Sequence, residues 1–134
     1  MNIGFIGLGI MGAPMAGHLI DAGHKLFLYD VVKIPDTLMG RGEVCASSAE
    51  VAKHADIIIT MVPDTPHVEA VLFGEKGVAE GITEGKIVVD MSSISPVATK
   101  EFAKKINALG CDYLDAPVSG GEVGAKAASL TIMV

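Results

Sequence analysis

The chain contains no apolar run approaching the roughly 18 residues a transmembrane helix needs, which excludes a bilayer-spanning helix. Basic residues are few: ten Lys+Arg against sixteen Asp+Glu give a formal net charge of -6. A nucleic-acid binder is usually basic, so that class is disfavoured. Cysteine is scarce as well. Cys45 and Cys111 stand too far apart for a disulfide framework or a zinc spacing and read as two buried apolar thiols. The N-terminus, Met1-Asn2-Ile3-Gly4-Phe5, has no basic n-region and no Arg/Ser-rich transit segment, so a reduced, cytoplasmic setting is expected. Internal repeats, low-complexity tracts and linkers are missing too, and 134 residues suit one domain.

What is present is hydrophobic. Half of the residues are apolar, too many for a disordered chain, and the sixteen glycines follow no collagen triplet. Continuous apolar runs at Ile3–Ile6, Lys25–Tyr29, Asp56–Val62, Lys86–Met91, Cys111–Leu114 and Leu130–Val134 read as strands. Between them, Met11, Met15, Leu19 and Ile20 recur at helical spacing, and Gly23 closes that helix. Pro35–Gly42 reads as a connection with room for a short helix. Ser47 and Glu50 form a capping box for a helix ending at Ala55. A further helix is expected over Val68–Phe73, then turns over Gly74–Gly85. Ser95-Pro96 opens a helix that Gly110 ends. Asp115–Ala127 reads as a Gly-rich loop. Strands that alternate with helices and are apolar throughout imply a parallel sheet covered on both faces. Right-handed crossovers then give a doubly wound α/β fold, Rossmann-like and mostly parallel.

The segment Gly7-Leu8-Gly9-Ile10-Met11-Gly12 matches G-x-G-x-x-G. Alone the pattern is weak, but here it follows a strand and opens a helix. Gly7 permits a tight turn, Gly9 admits a pyrophosphate to the backbone, and Gly12 lets helix and strand pack closely. The helix N-terminus supplies N–H groups and partial positive charge, so an acidic chain can still hold an anionic cofactor. Asp30 closes the second strand about 20 residues downstream, where a carboxylate accepts hydrogen bonds from the adenosine ribose. It would repel a 2′-phosphate. Val31 and Val32 follow without an arginine, and Lys33 is the nearest cation. NAD is therefore expected over NADP.

In open α/β sheets, ligands sit beyond the carboxyl ends of the strands. Three further ends are candidates. Met61-Val62-Pro63 can line a dinucleotide, and Asp90-Met91-Ser92-Ser93 offers hydroxyls near the nicotinamide. Asp115-Ala116-Pro117-Val118-Ser119-Gly120-Gly121 puts a hydroxyl beside two unobstructed backbone N–H groups, a fitting cradle for a small carboxylate. His67 lies just past the Met61-Val62-Pro63 end and reads more simply as a helix-start residue than as an acid/base. His18, His24 and His54 show no spacing for a metal. Lys126 reads as a solvated loop residue.

These motifs, in this order, resemble the β-hydroxyacid dehydrogenases. The opening Gly4-Phe5-Ile6-Gly7-Leu8-Gly9-Ile10-Met11-Gly12-Ala13-Pro14-Met15 is similar, as are Ile59–Pro63, Asp90–Ser93 and Asp115–Gly121, together spanning essentially the whole chain. Pro66-His67-Val68 and Ser92–Pro96 resemble the tartronate semialdehyde reductase branch. The resemblance implies reversible hydride transfer between NAD(P)H and a small 3-hydroxy acid. It places Gly7, Leu8, Gly9, Ile10, Met11 and Gly12 on the pyrophosphate and Asp30 on the ribose. Met61, Val62, Pro63, His67 and Ser93 fall beside the cofactor, and Ser119, Gly120 and Gly121 at the substrate carboxylate.

The family's catalytic lysine, with an asparagine one turn on, lies beyond the dinucleotide domain, on the way into an all-helical second domain that completes the site and the usual dimer. No lysine here matches it. Residues 1–134 are thus expected to be a cofactor-binding domain, incomplete at its C-terminal end, with no catalytic residue and inactive alone. Two alternatives stand beside this reading. One is an NAD(P)-binding sensor or docking module without catalysis; the other is an enzyme like 6-phosphogluconate dehydrogenase. The final strand, if left at a sheet edge, would invite self-association.

Overall fold

The computed structural model describes residues 1–133. Its main sheet has six parallel strands in the order β3-β2-β1-β4-β5-β6. These are β1 (Asn2–Ile6), β2 (Lys25–Tyr29), β3 (Glu43–Val44), β4 (Ile57–Thr60), β5 (Ile87–Asp90) and β6 (Asp112–Asp115). The order 3-2-1-4-5-6 is that of the Rossmann fold, and the direction of travel reverses between β1 and β4. Register aligns the strand ends. Tyr29 and Thr60 flank Ile6, Asp90 pairs with Thr60, and Asp115 pairs with Asp90. One carboxyl edge therefore runs across the sheet.

Alternation along the strands sends side chains to two buried layers. Ile3, Phe5, Leu26 and Leu28 pack with Ala16 of α1 (Gly12–Asp21) and with Leu38 of a 3-10 turn at Asp36–Leu38. Ile6, Phe27, Ile58 and Val88 pack on the other face against three helices. These are α2 (Ser48–His54), α3 (Thr65–Phe73) and α5 (Pro96–Asn107), which contribute Val51, Val68, Leu72, Phe102 and Ile106. Coverage is uneven. On the α1 face it thins toward β6, where Leu114 is 46% exposed.

Local chemistry sets the helix starts. Ser47 Oγ accepts the Glu50 N–H at 3.1 Å at α2, and Asp64 Oδ1 accepts the Thr65 N–H at 2.7 Å at α3. At α5 the Ser95 hydroxyl faces the Ala98 N–H, and Pro96 fills the first turn.

Besides the short strand β3 and an earlier start of α3 at Thr65, neither of them expected, four details differ from the sequence expectation. The strand expected over 56–62 is confined to Ile57–Thr60, because Pro63 ends the ladder. The turns at 74–85 contain a four-residue helix, α4 (Val78–Gly81). The Gly-rich loop at 115–127 is largely structured: β7 (Val118–Ser119) leads into α6 (Gly121–Ala127), whose Gly124 and Ala125 are buried. The last strand is short. β8 (Thr131–Ile132) pairs antiparallel with β7 in a separate two-stranded sheet, and Met133 N–H reaches Pro117 O at 2.8 Å. Residue 134, the end of the expected strand, lies outside the described residues. Among the described residues, no helix is long and apolar enough to cross a membrane.

Candidate functional site

The glycine loop occupies the carboxyl end of β1, at the point where strand order reverses. Gly7 has φ +99, a conformation L side chains rarely adopt, and a Cβ there would collide with Met61 O on β4's extension. A Cβ on Gly12 would collide with Gly7 O, so this glycine sets how closely α1 approaches the loop. Gly9 is different: a Cβ there would meet nothing within 4 Å. The outer two glycines answer to the protein, and the middle one faces open space.

The same stretch holds free donors. Among the described residues, no hydrogen bond takes the N–H groups of Gly9, Ile10, Met11 or Gly12; the next amide, Ala13 N–H, meets Gly9 O at 3.0 Å. Unpaired donors at the start of a ten-residue helix, beside an unobstructed backbone, fit a pyrophosphate. Ile10 is exposed beside them.

Asp30 stands where the sequence puts it, and the structure adds a task. Its Oδ2 accepts the Leu8 N–H at 2.6 Å and its Oδ1 accepts the Val32 N–H at 2.8 Å. The carboxylate therefore ties the glycine loop to the end of β2. Each oxygen retains a second acceptor site for a ribose hydroxyl. A cleft of about 450 Å³ opens beside it, between Tyr29 and Val31 on one side and Ser47, Ser48, Val71 and Lys76 on the other. A second cleft of about 520 Å³ runs along the outer flank of the loop, from Gly9 and Ile10 past His18 to Arg41, Glu122 and Lys126.

Across the switch point, Met61 N–H bonds Ile6 O and Val62 N–H bonds Ser92 Oγ, both at 2.9 Å. The Met61-Val62-Pro63 turn is thus clamped between β1 and the end of β5. Pro63 and Ser93 are exposed, and so is His67 on the first turn of α3. Ser95 N–H reaches Thr65 Oγ1 at 3.2 Å, which links the Ser92–Ser95 loop to that helix. Loop, Asp30, Met61–Pro63 and Ser92–Ser93 form one edge.

Ser119, Gly120 and Gly121 are reached differently. Ala116 N–H bonds Asp90 O at 2.8 Å at the end of β6, and α6 then packs on α1. His18 Nε2 lies 2.8 Å from Ala125 O and 3.0 Å from Lys126 O, capping α6. The Ser-Gly-Gly turn spans between these anchors. Gly120 has φ +130, so its place in this turn requires glycine. Lys126 is solvated as expected, but on a helix, paired with Glu122 at 2.8 Å.

Sequence reasoning missed a buried network. Asp90 has no exposed surface, and its carboxylate is met by the hydroxyls of Thr60 and Tyr113 and by Ser92 N–H. Burial pushes its carboxyl above the ordinary range, against the lowering effect of those donors. Tyr113 is pushed up as well, first by burial and then by the Asp90 charge. The signal was present in part: Thr60 is a hydroxyl closing an otherwise apolar strand, in register with Asp90. Among the described residues, no cluster of His, Cys, Asp or Glu could hold a metal.

Residues 2–134 match the family model for the NAD binding domain of 6-phosphogluconate dehydrogenase. The chain belongs to that family. It is 56% identical over its full length to 2-hydroxy-3-oxopropionate reductase of Escherichia coli, covering 46% of that protein. The 3-hydroxyisobutyrate dehydrogenase of Mycobacterium tuberculosis, solved with L-serine, superposes with TM-score 0.87 at 36% identity, over 98% of this chain and 45% of that one. Psf3, solved with NADP+ and 2-OPP, superposes with TM-score 0.90 at 26% identity, over 97% of this chain and 47% of that one. The family takes NAD(P), and the open loop with its free donors is consistent with that cofactor. The chain spans about half the length of the curated relatives it matches.

Proposed function

We propose that this chain is the cofactor-binding part of an NAD(P)-dependent dehydrogenase acting on a small 3-hydroxy acid and its semialdehyde, of the tartronate semialdehyde to glycerate type. The observation that carries the reading is Gly9, open to solvent between two packed glycines and beside four free backbone donors. The 56% identity to a 2-hydroxy-3-oxopropionate reductase supports the substrate class.

Bound nicotinamide supplies the hydride. This chain's residues bind and orient. Gly7, Leu8, Gly9, Ile10, Met11 and Gly12 receive the pyrophosphate. Asp30 accepts the ribose hydroxyls, with the cleft at Val31 and Ser48 for the base. Met61, Val62, Pro63, His67 and Ser93 border the nicotinamide. Ser119, Gly120 and Gly121 hold the substrate carboxylate on the chain's path from β6 to α6. No lysine among residues 1–134 matches the one that protonates the nascent alkoxide in the family it resembles, and general acid catalysis of that kind contributes about 10²–10⁴-fold. The chain alone is therefore a binder with negligible turnover.

Calorimetric titration with NADH and NADPH tests the proposal. Binding of NADH, tighter than NADPH, with no measurable reduction of tartronate semialdehyde, is the expected result. No affinity for either dinucleotide overturns the reading, and robust turnover overturns the inactivity of the chain alone.

A further inference from the structure

Asp90 ends β5 with no exposed surface, and among the described residues no cation pairs with it; the ion pairs there are Arg41–Asp21 and Lys126–Glu122. Taking a carboxylate out of water costs several kcal/mol unless its oxygens are well met. Here they are met from the end of β4, from the turn after β5 and from within β6. Thr60 Oγ1 donates to Oδ1 at 2.9 Å, Ser92 N–H to the same oxygen at 3.0 Å, and the Tyr113 hydroxyl to Oδ2 at 3.3 Å. A leucine could close a buried strand without that cost, so the carboxylate answers to something besides strand closure.

The hydrogen bonds show where its influence goes. Ser92, fixed by Asp90 through its N–H, uses its Oγ to accept Val62 N–H at 2.9 Å. Ser92 is itself buried, whereas Ser93 next to it is exposed. Asp90 thus sets the position of both turns on the far side of the switch point: Met61–Pro63 through Ser92, and Ser93 by direct succession. None of these bonds touches the Leu8–Asp30 side, which is held by its own pair of hydrogen bonds.

We infer that Asp90 is a positioning residue for the nicotinamide half of the bound dinucleotide, fixing the spacing of the Val62 and Ser93 turns from beneath without contacting the ring. The inference rests on the dinucleotide reading above. It makes the two halves of the site separable. The adenosine and pyrophosphate half depends on Asp30 and the glycine loop, and the nicotinamide half on Asp90. The role is geometric, so an asparagine, whose Oδ1 can still accept Ser92 N–H, replaces the carboxylate well, whereas alanine does not.

The test compares NADH with ADP-ribose, which lacks the nicotinamide, by calorimetry on the 134-residue chain. Asp90→Ala is expected to weaken NADH at least tenfold and leave ADP-ribose within about twofold. Asp90→Asn is expected to bring NADH back to within about threefold of the parent. If Asp90→Ala fails to fold, Ser92→Ala decides. It removes the acceptor for Val62 N–H and the Ser92 side-chain link to Asp90, leaving the carboxylate in place, and should weaken NADH threefold or more at unchanged ADP-ribose affinity. In folded variants, equal losses of both ligands, or no loss of either, overturn the inference while the dinucleotide reading stands. A parent chain that binds neither ligand overturns both.

Discussion

The Leu8 backbone N–H donates to Asp30 Oδ2 at 2.6 Å, joining the phosphate loop to the end of the neighbouring strand 22 residues away. The acid that the motif assigns to a ribose also holds the loop in shape before any ribose arrives. On the proposed cofactor reading, one carboxylate serves both binding and loop structure.

Asp30→Ala should therefore reduce both. It strands Leu8 N–H and Val32 N–H, two donors to a charged acceptor. The group is partly exposed, so the combined cost is expected at about 1–2 kcal/mol, read from the urea midpoint. In calorimetry, NADH affinity should fall more than NADPH affinity, narrowing the preference. An unchanged ratio would remove Asp30 from cofactor discrimination.

The three loop glycines should separate by phenotype. Gly7→Ala and Gly12→Ala each drive a Cβ into backbone, at Met61 O and Gly7 O. Both should lose about 1–3 kcal/mol of stability, with a lower thermal midpoint. Gly9→Ala meets nothing in the protein and should fold normally, yet block pyrophosphate approach and weaken NADH by tenfold or more. A Gly9→Ala variant with parental affinity would contradict the assignment of this loop.

Asp90 gives a pH signature with a defined sign. Burial raises its folded carboxyl above the ordinary 3.8, so the native state holds this proton more tightly than the unfolded chain does. Its contribution to stability is then greatest at low pH and declines as pH rises from near 4 through the raised folded value. Asp90→Asn cannot titrate. The difference in urea midpoint between parent and Asp90→Asn should shift in favour of the parent as pH falls from 7 toward 4. A pH-independent difference would show that the carboxyl is not perturbed.

Cys45 should be inert in the native protein. It is 4% exposed, and burial, reinforced by the charges of Glu50 and Glu43, pushes its thiol up to about 12. At pH 8 about one molecule in 10⁴ carries the thiolate, the reactive form. Labelling of Cys45 by a thiol reagent should follow the rate of opening of the surrounding core and accelerate only with denaturant. Rapid labelling at native conditions would refute its burial.

The sequence determined a good deal here. Apolar strand runs, helix-start signals at Ser47 and Ser95, and the glycine pattern are local properties. Each is read from a few adjacent residues, because turn sterics, capping and strand burial act over that range. The candidate residues at the ends of β1, β2, β4 and β5 followed from the rule that ligands meet strand ends.

Tertiary structure decided what depends on residues distant in the chain. The helix over Gly121–Ala127 is not legible locally, because its stability comes from packing on α1 and from His18, more than a hundred residues earlier, bonding its last carbonyls. The short β8 pairs with β7 and not with the main sheet, a choice of partner that five apolar residues do not encode. Asp30's hold on Leu8 and the Thr60–Asp90–Ser92–Tyr113 network exist only once five parallel strands lie in register. Hydrogen bonds to a side chain are set by where the sheet brings donors, and that information is distributed over the whole fold.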